Sequence, residues 1–209
     1  MNQLITIENA LPAVNKITGT DSEFVGTNTA AELELWKGQT EHDSSMRETL
    51  QEYWKPYSWN GDPNIPWSAV FISYLLQNDS FKGSPQHLQY VKNVIAGQSP
   101  GWIAYSIPKN QGKIQLNIGD VLVRTRSGSD TATHGDIVWK IANGKAYLAG
   151  GNLGNTAKSA GSLNVDAQGR VTDRVSNYLV ILKKKATFGK LIPIVLILGG
   201  GALWWTLKK

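Results

Sequence analysis

The chain has 209 residues, with 21 Lys and Arg against 16 Asp and Glu, a formal net charge of +5 and no cysteine. That length suits one domain of ordinary size with an appendage. The missing thiols exclude disulfides, cysteine-ligated zinc and a thiol nucleophile. The charge is unevenly spread: Lys183, Lys184, Lys185, Lys190, Lys208 and Lys209 fall in a final stretch without Asp or Glu, and removing these six from 21 leaves 15 basic residues against 16 acidic ones. A nucleic-acid footprint would place basic residues on the domain itself, so nucleic acid is not an expected partner.

Residues 1–28 are rich in Asn and Thr without a clear hydrophobic period, and read as an N-terminal extension. They lack the basic start and small-residue cleavage site of a secretory signal. The run Ala30-Ala31-Glu32-Leu33-Glu34-Leu35-Trp36 reads as a helix stopped by Gly38. A second helix is expected from Ser45 to Lys55, with Met46, Leu50, Tyr53 and Trp54 on one face and Pro56 ending it. A loop of Asn, Gly, Asp and Pro follows to Pro66, and Ser68 to Gln77 is then apolar nearly all round, as in a buried helix. Ser84-Pro85 is a helix start for a segment carrying His87, Leu88, Val91 and Ile95 and ending near Gly97.

After Gly101 the pattern changes. Gly119-Asp120 reads as a turn into a strand Val121 to Arg124, and His134 to Ile141 and Lys145 to Ala149 read as strands joined by the hairpin signal Asn143-Gly144. A further hairpin is expected around Asp166 to Thr172, and Tyr178 to Leu182 closes the set as a buried strand. Helices followed by an antiparallel meander make an α+β domain over 29–182.

The tail reads as a basic linker, 183–190, and a transmembrane helix, 191–207. Its 17 uncharged residues are close to the lower limit of about 20 for a span, lysines flank both ends, and Trp204 and Trp205 sit where an aromatic belt belongs. Gly199-Gly200-Gly201 would allow close helix packing. The plainer alternative is a buried C-terminal helix. Lysines at both ends leave the membrane orientation open. The expected location is a single-pass C-terminal anchor in a bacterial inner membrane or a virion internal membrane.

Four motifs in order carry a resemblance: Pro66-Trp67-Ser68-Ala69-Val70-Phe71-Ile72-Ser73, Gly119-Asp120-Val121, His134-Gly135-Asp136-Ile137-Val138, and Gly150-Gly151-Asn152. From about Ala30 to Leu182 the chain resembles domain-of-unknown-function family 2272, related to the NlpC-type and CHAP-type papain-like cell-wall peptidases and amidases. The resemblance implies a papain-like fold in which a nucleophile opens a helix, a His starts a strand, and a polar residue on the next strand orients it. By position these are Ser68, His134 and Asn152, with Ser standing where those hydrolases keep Cys.

The chemistry is consistent with that order. A hydroxyl attacks a carbonyl only if a base takes its proton, and a neutral imidazole does so. An Asn holds the tautomer without adding charge, and helix N-terminal amides face the oxyanion. Trp67, Asp136 and His87 are the candidate substrate-binding residues. Asp136 lies two residues beyond His134 on the same strand face, where it would orient the histidine or hold a substrate ammonium. Plainer readings stand beside these: Ser68 as a helix N-cap, His134 as a strand-edge polar residue, Asn152 as a turn residue, His87 as a hydrogen-bonded core or surface histidine, and Trp67 and Tyr74 as core. No cofactor is expected, and His87, His134 and Asp136 lack the close spacing of a metal site.

Two functions follow. The first is a membrane-anchored peptidoglycan hydrolase, a peptidase or amidase with peptidoglycan and lipid membrane as partners. The second is a catalytically silent papain-like module that binds cell wall or structural protein partners, for example in a membrane-containing phage particle. Acyl transfer on lipids is a weaker third, because relatives of that kind have the His before the nucleophile.

Overall fold

The computed structural model describes residues 20–107, 113–126, 129–173, 175, 177–185, 194–198 and 201–205. Most of the expected N-terminal extension and of the linker 183–190 lies outside these residues. The fold is α+β: among the described residues four helices precede an antiparallel sheet. The helices are α1 (Thr20–Leu35), α2 (Arg47–Trp54, entered through a single 3-10 turn at Ser44–Met46), α3 (Ser68–Leu75) and α4 (His87–Ile95). The six strands of the main sheet are β1 (Trp102–Ser106), β2 (Val121–Arg126), β3 (Ser129–Ala142), β4 (Lys145–Gly150), β5 (Lys158–Asn164) and β6 (Tyr178–Lys184). Their spatial order is β1-β6-β2-β3-β4-β5, so the last strand enters between the first two and the other four form a meander.

Helix α1 starts at Thr20, ten residues before the run expected from Ala30. Two features that look like helix breakers in sequence are absorbed by packing. Thr29 Oγ1 donates to the Val25 carbonyl at 2.8 Å inside the helix. Gly26 lies so close to β3 that a Cβ there would sit 2.9 Å from the Trp139 carbonyl oxygen, so this glycine sets a close approach. Asn143 and Gly144, with φ of 52° and 69°, make the left-handed pair that a tight hairpin between β3 and β4 requires. Strands β1 and β5 come in addition to those read from the pattern. Around Asp166 to Thr172 there is a Val165–Val171 bridge closed by the Arg170 N–H donating to the Asp166 carboxylate at 2.8 Å.

The two faces of the sheet are buried differently. Val121, Val123, Ile137, Ala149, Val180 and Leu182 meet the helices, while Leu122, Val138, Leu148 and Ile181 pack under the segments that carry Ile114, Leu116, Val165 and Val171. On that second side Lys183 reaches inward to the Asp120 carboxylate and to the Gln115 carbonyl, an ion pair almost wholly out of water.

The tail departs from its expected form. Where the sequence reads as a membrane-spanning helix over 191–207, the structure has β7 (Ile194–Leu198) paired antiparallel with β8 (Gly201–Trp205). Three consecutive glycines in the middle of that segment each cost a helix about 1 kcal/mol, and Ile194 and Val195 are β-branched. Among the described residues no helix is long and apolar enough to cross a membrane.

Candidate functional site

Helix α3 is buried along nearly its whole length, and Ser68 is its first residue. Trp67, immediately before, has no exposed surface. Its indole stacks on Trp36 with centroids 4.6 Å apart, and its Nε1 donates to Glu41 Oε2 at 2.6 Å. That pair of contacts locks the chain on entry to the helix and makes Trp67 a wall behind Ser68. The other end of the motif ties α3 to α4. Ser73 Oγ accepts the Ser84 N–H at 3.0 Å and donates to the Ala69 carbonyl at 2.9 Å. Ser84 Oγ in turn accepts the Gln86 N–H at 3.1 Å, so α4 begins at His87, two residues later than Ser84-Pro85 suggests.

This clamp brings the two helix starts together. Ser68 Oγ lies 3.1 Å from His87 Nε2, with Ser68 only 2% and His87 8% exposed. Burial, then the neighbouring His134, Arg126 and Arg124, lower the His87 pKa from 6.5 to about 3, with Asp136 opposing. His87 is therefore a neutral imidazole at ordinary pH, able to accept the Ser68 proton. The first-turn amides of α3 have no partner within the helix and are the donors that an oxyanion beside Ser68 would use.

His134 occupies a different environment. The residue of β3 that faces α4 is Gly135: a Cβ there would collide with Tyr90 Oη and lie 2.9 Å from His87 Cδ2. By strand alternation His134 and Asp136 project to the other side. The ring of His134 still comes within 5.7 Å of the His87 ring, centroid to centroid. Its Nδ1 is 3.3 Å from Arg126 Nη2; a guanidinium only donates, so Nδ1 accepts, and the neutral ring carries its proton on Nε2. That Nε2 is 3.3 Å from Asp136 Oδ1, in ion-pair range but not aligned as a hydrogen bond. Asp136 Oδ2 accepts from Arg124 Nε at 2.8 Å. Three buried polar atoms here have no hydrogen-bond partner among the described residues: Tyr90 Oη, His134 Nε2 and Asp136 Oδ1.

Asn152 is half-buried with φ of 53°, the conformation of a turn residue. Among the described residues no hydrogen bond joins it to His134, and the neighbours of the His134–Asp136 pair on this strand end are supplied by Gly150. A Cβ on Gly150 would stand 2.8 Å from both Asp136 Oδ1 and His134 Nε2, and one on Gly151 would stand 2.7 Å from Phe71 Cβ and 2.8 Å from Trp67 Cζ3. The two glycines thus seal the space between β3 and the start of α3. Among the described residues no group of three His, Asp or Glu side chains is placed to hold a metal ion.

A family model described as an uncharacterized protein conserved in bacteria (DUF2272) matches residues 20–185. The chain belongs to this family. No curated protein and no solved structure matches it. The matched span of the DUF2272 domain begins at α1 and ends just after β6, so it takes in every residue of the site.

Of the residues singled out in sequence, the DUF2272 domain brings Ser68 and His87 into contact and groups His134 with Asp136. It does not bring His134 or Asn152 within hydrogen-bond reach of Ser68. Tyr90, Arg124, Arg126 and Gly135 were not singled out. Arg124 and Arg126 alternate along one strand and His87 and Tyr90 stand three apart on a helix, signals too common to stand out alone.

Proposed function

We propose that the chain is a serine hydrolase of the papain-like type that cleaves an amide bond in peptidoglycan. Ser68 is the nucleophile and His87 the general base that then protonates the leaving amine. The observation that carries this reading is the 3.1 Å contact between Ser68 Oγ and a neutral His87 Nε2 at the start of a buried helix. In the sequence-based assignment the base is His134 and Asn152 orients it. The geometry favours His87 as the proton acceptor, with the His134 ring 5.7 Å from it, centroid to centroid, and Asp136 behind His134. Peptidoglycan as substrate, and the NlpC-type and CHAP-type kinship, rest on the order of the motifs. The lysine-flanked apolar tail would hold the chain at a bacterial or virion membrane.

The test is release of soluble muropeptides from purified sacculi by the full chain. Ser68→Ala should abolish release, and His87→Gln should lower it by about 100-fold or more, while an Ala variant as active as wild type would exclude Ser68 as nucleophile. A second reading, a silent wall-binding module, is favoured by the near-complete burial of Ser68 and His134. It predicts that sacculi retain the protein in pull-down and release nothing on long incubation.

A further inference from the structure

Helix α1 meets the end of α3 at a small depression of about 130 Å³. Its least exposed lining is the buried Leu75 with the half-buried Glu32 and Tyr74, and the exposed Gln77 and Asn78 stand at its rim. It lies at the far end of α3 from Ser68, about 10 Å along the helix axis. Glu32 is the one lining residue that carries a charge. Glu34 and Glu52 nearby are each matched by a lysine three residues on, at 3.0 and 3.1 Å. Glu32 has Leu35 and Trp36 at the corresponding positions, and among the described residues no cation pairs with it.

The carboxylate is held in place from behind. Its Oε2 accepts the Tyr53 hydroxyl, which in turn accepts the Trp36 Nε1–H at 2.8 Å. Oε1 has no hydrogen-bond partner among the described residues. Partial burial raises the Glu32 pKa, with the Tyr53 hydrogen bond opposing. Burial, then the charges of Glu32 and Glu52, raise that of Tyr74, so the local potential is negative. A half-buried carboxylate in that setting is matched by a cation with several donors. An ammonium brings three N–H groups, and Glu32 Oε1, Tyr74 Oη and the amide oxygens at the rim are acceptors for them. An alkyl stem would lie on Leu75 and Ala31. A neutral sugar would leave the Glu32 charge unmatched, and an anion would be repelled.

We propose that this depression is a binding site for a primary ammonium on an alkyl stem, the end of a lysine-type side chain, with Glu32 as the residue that recognises it. The site is separate from the serine–histidine pair and does not depend on the reaction assigned to Ser68. It also carries its own reporter. Trp36 is wholly buried and bonded to the hydroxyl that Glu32 accepts, so a cation on Glu32 alters the hydrogen bond at the Trp36 indole.

The experiment titrates the full chain with N-acetyl-lysine amide, its Nε-acetyl derivative, N-acetyl-norleucine amide and N-acetylglucosamine, following the Trp36 indole N–H resonance. The lysine probe is expected to shift that resonance saturably and to bind about tenfold more tightly than the two uncharged side chains, as for hydrogen bonds to a charged group. Glu32→Gln keeps an oxygen for the Tyr53 hydroxyl but removes the charge, and should bring the lysine probe down to the level of norleucine. Circular dichroism checks that this variant is folded, and the comparison of probes on wild type needs no variant. No saturable shift with the lysine probe, equal binding of the charged and uncharged side chains, or a lysine preference that survives Glu32→Gln would each overturn the proposal. Saturation by N-acetylglucosamine in place of the lysine probe would overturn it in favour of a carbohydrate site. Muropeptide release by wild type in the absence of any probe bears only on Ser68, so either idea can fail without the other.

Discussion

His87 should make the protein sensitive to mild acid, by an amount that follows from its burial. In the unfolded chain this imidazole takes a proton near pH 6.5; in the folded one it does so only near pH 3. The folded-state value is lowered, so the contribution is fully present above pH 6.5 and is lost as pH falls from there towards 3. Between those limits the unfolded state binds one more proton than the folded state, and stability falls by about 1.4 kcal/mol per pH unit. Integrated from pH 7, the loss reaches about 2 kcal/mol at pH 5 and about 3 kcal/mol at pH 4. Urea unfolding of wild type and His87→Gln at pH 7, 6, 5 and 4 measures it. Glutamine keeps a hydrogen-bonding group beside Ser68 but cannot titrate, so the variant's stability should fall less steeply with acid. The carboxylates that also weaken the fold at low pH are common to both proteins and drop out of the difference. Slopes that agree within error would refute the argument, as would a His87 ring resonance in wild type that titrates near pH 6.

Two other substitutions probe the frame around the site. Gly151→Ala should cost about 1–3 kcal/mol, read as a fall of several degrees in Tm, because the new Cβ would stand 2.7 Å from Phe71 Cβ at a position whose φ needs no glycine; an unchanged Tm would mean that α3 is not pressed against this strand end. Lys183→Met should destabilise by about 3–5 kcal/mol, since it leaves Asp120 buried without its cation. Adding Asp120→Asn, which can keep a side-chain oxygen for the Asn117 N–H, should recover much of that loss in a double-mutant cycle, and purely additive losses would argue against the pair.

Several features are set by short-range rules and were legible in the chain as written. Met46, Leu50, Tyr53 and Trp54 line one side of a helix by spacing alone, and all four are buried. Asn143-Gly144 makes a hairpin because few other pairs tolerate two left-handed residues in succession. His134 and Asp136 share a strand face because side chains alternate every residue, and their facing atoms are 3.3 Å apart.

What only the tertiary structure decided is what meets across long sequence separations. Strand β6 lies between β1 and β2, a pairing that no local pattern encodes. Strand β5, with Ser159, Gly161 and Ser162 and a mostly exposed face, carries no apolar alternation and exists through its ladder with β4. Helix α1 runs through Gly26 and Thr29 because packing against Trp139 and a bond to Val25 outweigh their weak propensity. The partner of Ser68 was decided in the same way. Sequence order points to His134, but the residue of β3 that lies against His87 and Tyr90 of α4 is Gly135. Its missing side chain lets α4 lie against bare backbone, and the imidazole that reaches the serine is His87, 19 residues away on the next helix.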